Sequence, residues 1–421
     1  MGFAQQKELE SQYLMSTFGR KPVELVSGSG MEAFDDEGNA YLDFIGGIGV
    51  LSLGHCHPQV VAAIEDQAEK LMHVSNYYYI ENRGEVAKTV SDLLNEGADE
   101  ASRTPWKSFF ANSGAEANEC AIKLARLHAR RRAGAAAREA GVDETSVAAA
   151  EYAAPRLIVT LEGSFHGRTL ASLAATAQPA KQEAFQPLPG GFASVPLNDV
   201  EALEALFAQR GDDICAVMLE CIQGESGVHP CTPEFLQAAR RLTAGRGALL
   251  ICDEVQCGVF RTGKPFGFQL FGIVPDVVTI AKGIADGFPM GMCAARGDAA
   301  DAFQPGDHGS TFGGSCLAVA AAKATLETLV RDDVASNVEE MGAYLRGRLA
   351  ELEHVVEVRG FGLMLAAQLD DDCDANDIVA RALGEGLLLN ATGPRTLRFL
   401  PPLICGKSHV DALIERLGRL L

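Results

Sequence analysis

From about Trp106 to Ala295, short apolar runs alternate with amphipathic stretches. The runs are Lys107–Ala111 (KSFFA), Leu157–Leu161 (LIVTL), Ala216–Leu219 (AVML), Leu249–Cys252 (LLIC) and Val277–Ala281 (VVTIA). Apolar runs this short, separated by helical patterns, predict buried strands of a mostly parallel sheet. Their spacing suits βα units, so the centre of the chain is expected to be an α/β domain. Beyond Gly309 the pattern changes. Helices are predicted over Leu317–Leu329 and near Val338–Leu352, then short strands around Val355–Val358 and Leu397–Phe399, which together make a smaller α+β domain. The expected division is an N-terminal segment over 1–72, a large α/β domain over 73–308 and a small domain over 309–421. The stretch from Arg130 to Pro155 is rich in Ala and Arg and reads as a solvated helical insertion.

Composition narrows the function. The chain has 421 residues, 47% of them hydrophobic and 22% charged, which predicts a folded protein with a sizeable core. A formal net charge of −20 argues against partners made of nucleic-acid phosphate or an anionic membrane surface. It leaves room for anionic small molecules, which need only a local cationic pocket. The opening MGFAQQKELE has no apolar core of a secretory signal, and Gln6 breaks the myristoylation pattern. Phe44 to Ile64 lacks charged residues, but its glycines, histidines and Pro58 interrupt it too often for a spanning helix. Eleven cysteines, an odd number without a C-x-x-C pair, predict neither a disulfide framework nor a zinc ribbon. A reduced cytoplasmic enzyme is the expectation, with no metal.

Three constellations carry candidate chemistry. Asn112-Ser113-Gly114-Ala115-Glu116 follows the strand KSFFA and opens an amphipathic helix. Ser113 and Glu116 have capping-box spacing, and Gly114 lets backbone approach a ligand. A strand, a small-residue turn and a helix N-terminus form an anion cup, because free N–H groups point outward. Taken alone, the same residues also describe a plain capped helix. At Asp253-Glu254-Val255-Gln256 the run LLIC delivers two carboxylates to a strand end, where open α/β sheets bind ligands. An acid there can hold a metal, stabilise a cation or cap a turn. Lys282 follows VVTIA directly. Desolvation at a strand end favours the neutral amine, a nucleophile for carbonyls, although a lysine there can also snorkel to water. An anion cup, a buried acid and a Schiff-base lysine are together what pyridoxal 5'-phosphate requires.

The chain resembles the class-III, fold-type-I aminotransferases over nearly its whole length. The resemblance is carried by LDFIGGIGVLSLGHCHP, NSGAEANECAIKLAR, SFHGRT, Gln223-Gly224-Glu225, DEVQCGVFRTGKPF, PDVVTIAKGI, GSTFGG and LRFLPPL. It implies a large domain with a mostly parallel sheet plus a smaller α+β domain, and pyridoxal phosphate as cofactor. Lys282 would form the Schiff base and move the proton, and Asp253 would pair with the pyridinium nitrogen. Val255 would pack on the ring, with Gln256 near its 3′ oxygen. Ser113, Gly114 and Ala115 would hold the phosphate, and Phe165 would stack on the ring. Thr311 and Ser310 would reach in from the partner subunit of a homodimer whose active site is shared across the interface.

For the substrate, Arg168 resembles an α-carboxylate clamp, since its fork grips a carboxylate with two hydrogen bonds. Arg398 resembles the family's second carboxylate arginine, and Glu225 the glutamate that pairs with it when the other substrate is bound. Tyr79 is placed at the substrate mouth or at an interface. DEVQCG with GSTFGG is nearer the acetylornithine branch than the 4-aminobutyrate branch. The implied reaction moves the δ-amino group of N2-acetylornithine to 2-oxoglutarate, giving glutamate, in arginine biosynthesis. Ornithine, succinylornithine, succinyldiaminopimelate and 4-aminobutyrate are alternative amines, and an aminomutase or a decarboxylating enzyme is an alternative class. Ser226 and Ser315-Cys316 depart from the family's usual Gly-Glu-Gly-Gly and Asn-Pro. His55-Cys56-His57-Pro58 is read as a turn without metal, with the two histidines directed apart as on a strand. His166 is read as scaffold or ring packing, and Cys252 and Cys257 as buried fillers.

Overall fold

A computed structural model describes residues 2–100 and 103–421. Its centre is a seven-stranded sheet in the order Lys107–Ala111, Gly291–Ala295, Val277–Ile280, Leu249–Asp253, Ile214–Leu219, Leu157–Leu161, Phe192–Val195. Only Gly291–Ala295 runs against its neighbours. The five apolar runs are all strands of this sheet. Phe192–Val195 and Gly291–Ala295 are additional: the first is interrupted by Ser194 and half-exposed, and the second is made mostly of small residues.

The two faces explain why the inner runs are continuously apolar. Ile158, Ala216, Met218, Leu249, Ile251 and Val277 pack with Cys120, Ala121, Leu124 and Ala125 of the helix Gly114–Glu139. Their neighbours Val159, Val217, Leu219, Leu250, Cys252 and Val278 belong to a second cluster with Phe235, Leu236 and Ala239 of the helix Pro233–Arg246. Alternate residues thus face different helices, and both faces are dry. Each large aliphatic side chain so buried contributes about 1.5–3 kcal/mol relative to exposure.

A second, antiparallel sheet contains Val355–Phe361, Met364–Leu369, Thr396–Phe399 and Asn390–Ala391. The helices Val334–Ala350 and Lys407–Gly418 accompany it, as the α+β pattern predicts. A third sheet joins the N-terminal strands Leu25–Ser29, Glu32–Asp35 and Ala40–Asp43 to Leu387–Leu388 from far along the chain.

The Ala/Arg-rich stretch is helical, but it is not simply solvated. The helix from Gly114 runs on to Glu139, turns at Gly141 and returns as Glu144–Tyr152. Glu151 receives Arg130 and Arg138, while Arg131 pairs with Asp307 at 2.7 Å. His55 and His57 are likewise not on a strand. Cys56 between them has φ +51°, His55 Nε2 lies 3.0 Å from Asp43 Oδ2, and His57 precedes the helix Pro58–Lys70. Among the described residues all eleven cysteines are free, and no helix is long and apolar enough to cross a membrane.

Candidate active site

The parallel strands end at one edge of the sheet, so the residues just past their carboxyl ends converge there. Ser113 follows Lys107–Ala111, Phe165 follows Leu157–Leu161 and Glu220 follows Ile214–Leu219. Asp253 closes its own strand, and Lys282 comes two residues after Ile280. The cavity between them measures about 380 Å³ and is lined by Ser113, Gly114, Ala115, Asn118, Phe165, His166, Arg168, Glu220, Glu225, Asp253, Val255, Gln256 and Lys282, among others.

Ser113 caps the helix: its hydroxyl accepts the Glu116 N–H at 3.2 Å. The first intrahelical bond is made by Ala117 N–H to Ser113 C=O, which leaves the amides of Gly114 and Ala115 ahead of it for an anion. A Cβ on Gly114 would lie 2.7 Å from Val255 Cγ1, so glycine there is required by the close approach of Val255.

Asp253 is buried. Its Oδ1 accepts the Val255 N–H at 3.0 Å, and its Oδ2 accepts from Asn118 Nδ2 at 2.8 Å and from His166 Nδ1 at 2.7 Å. Burial opposes a charge on His166, but the hydrogen bond and charge of Asp253 outweigh it and raise the imidazole's proton affinity above its ordinary value. Glu254 points the other way, as strand alternation requires. It accepts the Gly267 and Phe268 amides at 2.7 and 2.8 Å, and burial raises its pKa to about 7. Only the first carboxylate of the pair therefore serves the cavity. Cys257 donates to Glu254 at 3.1 Å and Cys252 receives Cys221 at 3.9 Å, both buried as fillers are.

Lys282 has φ +48°, a left-handed conformation that side chains other than glycine rarely adopt, and such strain collects at functional sites. Burial lowers its pKa, Arg398 adds to the effect, and Glu225 and Asp253 oppose it. Glu225 Oε1 lies 2.6 Å from Arg398 Nη1. Burial works against its charge, but Arg398 holds its pKa below the usual carboxylate range. Gln256 joins this pair, donating to Glu225 at 3.3 Å and accepting from Arg398 at 3.2 Å. Arg398 stands behind the cavity wall, in contact with Glu225 and Gln256 that line it. Arg168 lines the cavity and is exposed, with its guanidinium 5.5 Å from the Phe165 ring centre.

Three expected residues lie outside this cavity, two of which, Ser310 and Thr311, are expected to act in a partner's site rather than in their own. Ser310 and Thr311 line a separate cleft with Glu116 and His308, and Asn112 borders both cavities. Ser310 Oγ accepts from Asn112 Nδ2 at 3.1 Å. Tyr79 is fully exposed and lines neither. The two departures have local partners: Ser226 donates to Gln223 at 3.0 Å, and Ser315 caps the helix Cys316–Arg331. Asn118 and Glu220 were not expected. Glu220 carries the same signal as Asp253, an acid directly after an apolar run, whereas Asn118 has none beyond its place in the first turns of the motif helix.

The donor set fits pyridoxal phosphate. The capped helix end suits a phosphate, a carboxylate fixed by three donors suits a protonated ring nitrogen, and a desolvated amine suits an aldehyde. His166 Nε2 and Asn118 Oδ1 are buried without a protein partner, as befits polar atoms beside a polar guest. Away from the cavity, His354, Asp370 and Cys373 offer ligand atoms within 4.8 Å of one another, but His354 and Asp370 already bond each other at 2.9 Å.

Residues 17–421 match the family model for class-III aminotransferases. The acetylornithine aminotransferase of Caldanaerobacter subterraneus subsp. tengcongensis is 45% identical, over 98% of this chain and 98% of that protein. Among solved structures, the ornithine aminotransferase of Toxoplasma gondii, with partial occupancy of PLP at its active site, has a TM-score of 0.85 at 29% identity over 99% of this chain and 94% of that one. The acetylornithine aminotransferase of Elizabethkingia anophelis has a TM-score of 0.82 at 29% identity over 100% of this chain and 99% of that one. A match spanning all three of these sheets and every residue of the cavity shows the family: the chain belongs to the class-III aminotransferases.

Proposed function

We propose that this aminotransferase moves the δ-amino group of N2-acetyl-L-ornithine to 2-oxoglutarate, yielding N-acetylglutamate 5-semialdehyde and glutamate, a step of arginine biosynthesis in the cytoplasm. The observation that carries the two-substrate reading is the Glu225–Arg398 pair, a carboxylate masking a buried arginine beside Lys282. The choice of amine rests on the 45% identity to an acetylornithine aminotransferase.

Bound pyridoxal phosphate supplies a carbonyl for amine exchange and an electron sink for the carbon that loses its proton. The chain's own residues divide the remaining work. Ser113 and the amides of Gly114 and Ala115 bind the phosphate. Asp253, its carboxylate oriented by Asn118, His166 and the Val255 amide, would hold a proton on the ring nitrogen. Phe165 and Val255 would orient the ring, with Gln256 towards its 3′ side. Lys282, its amine desolvated, would hold the cofactor's carbonyl carbon and move the proton at the substrate carbon.

Arg168 grips the α-carboxylate of the amine donor at the mouth. With the donor bound, Glu225 neutralises Arg398. With 2-oxoglutarate or glutamate bound, Glu225 withdraws and Arg398 takes the α-carboxylate, leaving the distal one to Arg168. An aminomutase has no need of such a mask, because it has no second substrate to admit.

A homodimer completes this reading. Met72, Tyr77, Tyr78, Tyr79 and Phe312 are exposed, and Phe312 is next to Ser310 and Thr311. Burying these side chains against a second copy would carry Ser310 and Thr311 towards the partner's cofactor phosphate.

The test is a single-turnover titration of the cofactor-loaded protein without keto acid, following the visible band. Fast bleaching by N2-acetylornithine, with slower bleaching by ornithine and 4-aminobutyrate, is expected. Equal or faster bleaching by either other amine reassigns the donor, and no bleaching by any overturns the transaminase reading.

A further inference from the structure

Glu220 lies in the cavity, is 5% exposed and is given no part in the chemistry above. Strand register pairs Leu219 with Cys252, so Glu220 stands beside Asp253 on the next strand. Its two oxygens are divided between two loops: Oε1 accepts the Phe165 N–H at 2.8 Å, and Oε2 accepts the Gly224 N–H at 3.2 Å. Gly224 in turn gives its carbonyl to Arg398 Nη1 at 3.0 Å, and a Cβ on it would fall 1.9 Å from Gln256 Oε1. The residue ahead of Glu225 is thus pinned at N–H and C=O alike, with no room for a side chain.

We propose that Glu220 is a positioning residue of the transamination site, whose ionised carboxylate ties the Phe165 loop to the pivot on which Glu225 turns. This rests on the transaminase reading. When Glu225 leaves Arg398 for a substrate carboxylate, Gly224 stays in place because Glu220 holds its N–H, and Phe165 stays because the other oxygen holds it.

The side-chain type follows from the partners. Both are N–H donors, so the tie needs two acceptors. Glutamine has one acceptor, and its NH₂ would meet the second donor head-on. Protonation of Glu220 weakens the tie, because one oxygen becomes an O–H, which donates and accepts only poorly. Burial brings that protonation near neutrality by raising the pKa to about 7, with His166 and the two amides opposing it and Asp253 adding to it. The other groups within its field are Lys282, Lys181 and the thiols of Cys231 and Cys257. Gly224 holds the longer bond, so it is the tie that a single remaining acceptor gives up.

The test has two arms. In the cofactor-free protein at pH 8, amide hydrogen exchange is compared between the natural chain and Glu220→Gln. The Gly224 amide should exchange about tenfold faster in the variant, with Phe165 and the strand Ile214–Leu219 unchanged. Should the variant fail to fold, the natural chain alone answers. Its Gly224 protection, corrected for intrinsic exchange, should fall between pH 8 and pH 6 relative to Ile214–Leu219. In the loaded enzyme, Glu220→Gln should lower kcat/KM about tenfold for the 2-oxoglutarate half-reaction and much less for the amine half-reaction. Unchanged Gly224 protection, or equal loss in both half-reactions, overturns the proposal. If the natural enzyme shows neither half-reaction, the transaminase reading fails while the exchange arm still decides whether Glu220 holds Gly224.

Discussion

Glu225 and Arg398 close on each other at 2.6 Å from separate parts of the chain, the first from the loop after Ile222–Gln223 and the second from the strand Thr396–Phe399. Arg398 is 2% exposed and is held independently of Glu225: Asn390 Oδ1 accepts from its Nε and Nη2 at 3.0 and 2.8 Å, and Gly224 C=O from Nη1 at 3.0 Å. The arginine is therefore fixed, and on the proposed two-substrate reading the glutamate is the partner that moves. A buried guanidinium left without a counterion is costly, so a substrate carboxylate is the natural replacement.

Glu225→Ala removes the mask. The KM for 2-oxoglutarate should fall, and kcat/KM for an amine without a second carboxylate should drop about tenfold or more, because its bound state now leaves Arg398 unpaired. Separate measurement of the two half-reactions checks this. A parallel loss in both would contradict the masking role.

The same pair has a pH signature. Arg398 depresses the pKa of Glu225, so the pair's stabilisation is fully present above the unfolded carboxylate value of about 4.3 and is lost as pH falls through the lower folded value. The difference in urea midpoint between the natural chain and Glu225→Gln should be constant from pH 8 to about 5 and shrink below about 4.

His166 titrates in the opposite sense. Its folded pKa is raised, so the charged bond to Asp253 stabilises fully below the unfolded value of about 6.5 and weakens as pH climbs through the folded one. His166→Gln should cost more stability at pH 6 than at pH 9, read as thermal midpoints of the cofactor-free protein. Equal costs would place the proton elsewhere.

Lys282→Ala should abolish turnover and the visible band of the loaded enzyme. Because position 282 has φ +48°, Lys282→Gly should be the more stable of the two inactive variants, by about 1 kcal/mol in chemical denaturation. A more stable alanine variant would argue against the left-handed backbone.

Gly114→Ala tests the phosphate cup. Its Cβ meets Val255 Cγ1 at 2.7 Å, so Val255 or the helix end must move, at about 1–3 kcal/mol. Cofactor affinity should fall, measured by equilibrium dialysis, while the helix itself, capped by Ser113, remains.

Local chemistry was enough to read much of this molecule in one dimension. Runs such as LLIC and AVML are apolar throughout because parallel strands are covered on both faces, and that requirement shows residue by residue. Asp253 and Lys282 were legible for the same reason: a charged residue directly after such a run stands at the ligand-binding edge. Phe192–Val195 was not legible, because an edge strand exposed on one side needs no continuous apolar run.

Folding settled what depends on pairs distant along the chain. Asp253 faces the cavity and Glu254 does not, because successive side chains take opposite sides of a strand and the Gly267–Phe268 amides wait on the far side. Asn118, His166 and Asp253 come together from three elements, and no spacing rule relates them. Glu220 reads as one more strand-end acid until its two oxygens are seen holding Phe165 and Gly224. The apolar pattern specifies which residues must leave water. Which polar groups then meet is set by strand order and register, and these follow from contacts that no local pattern records.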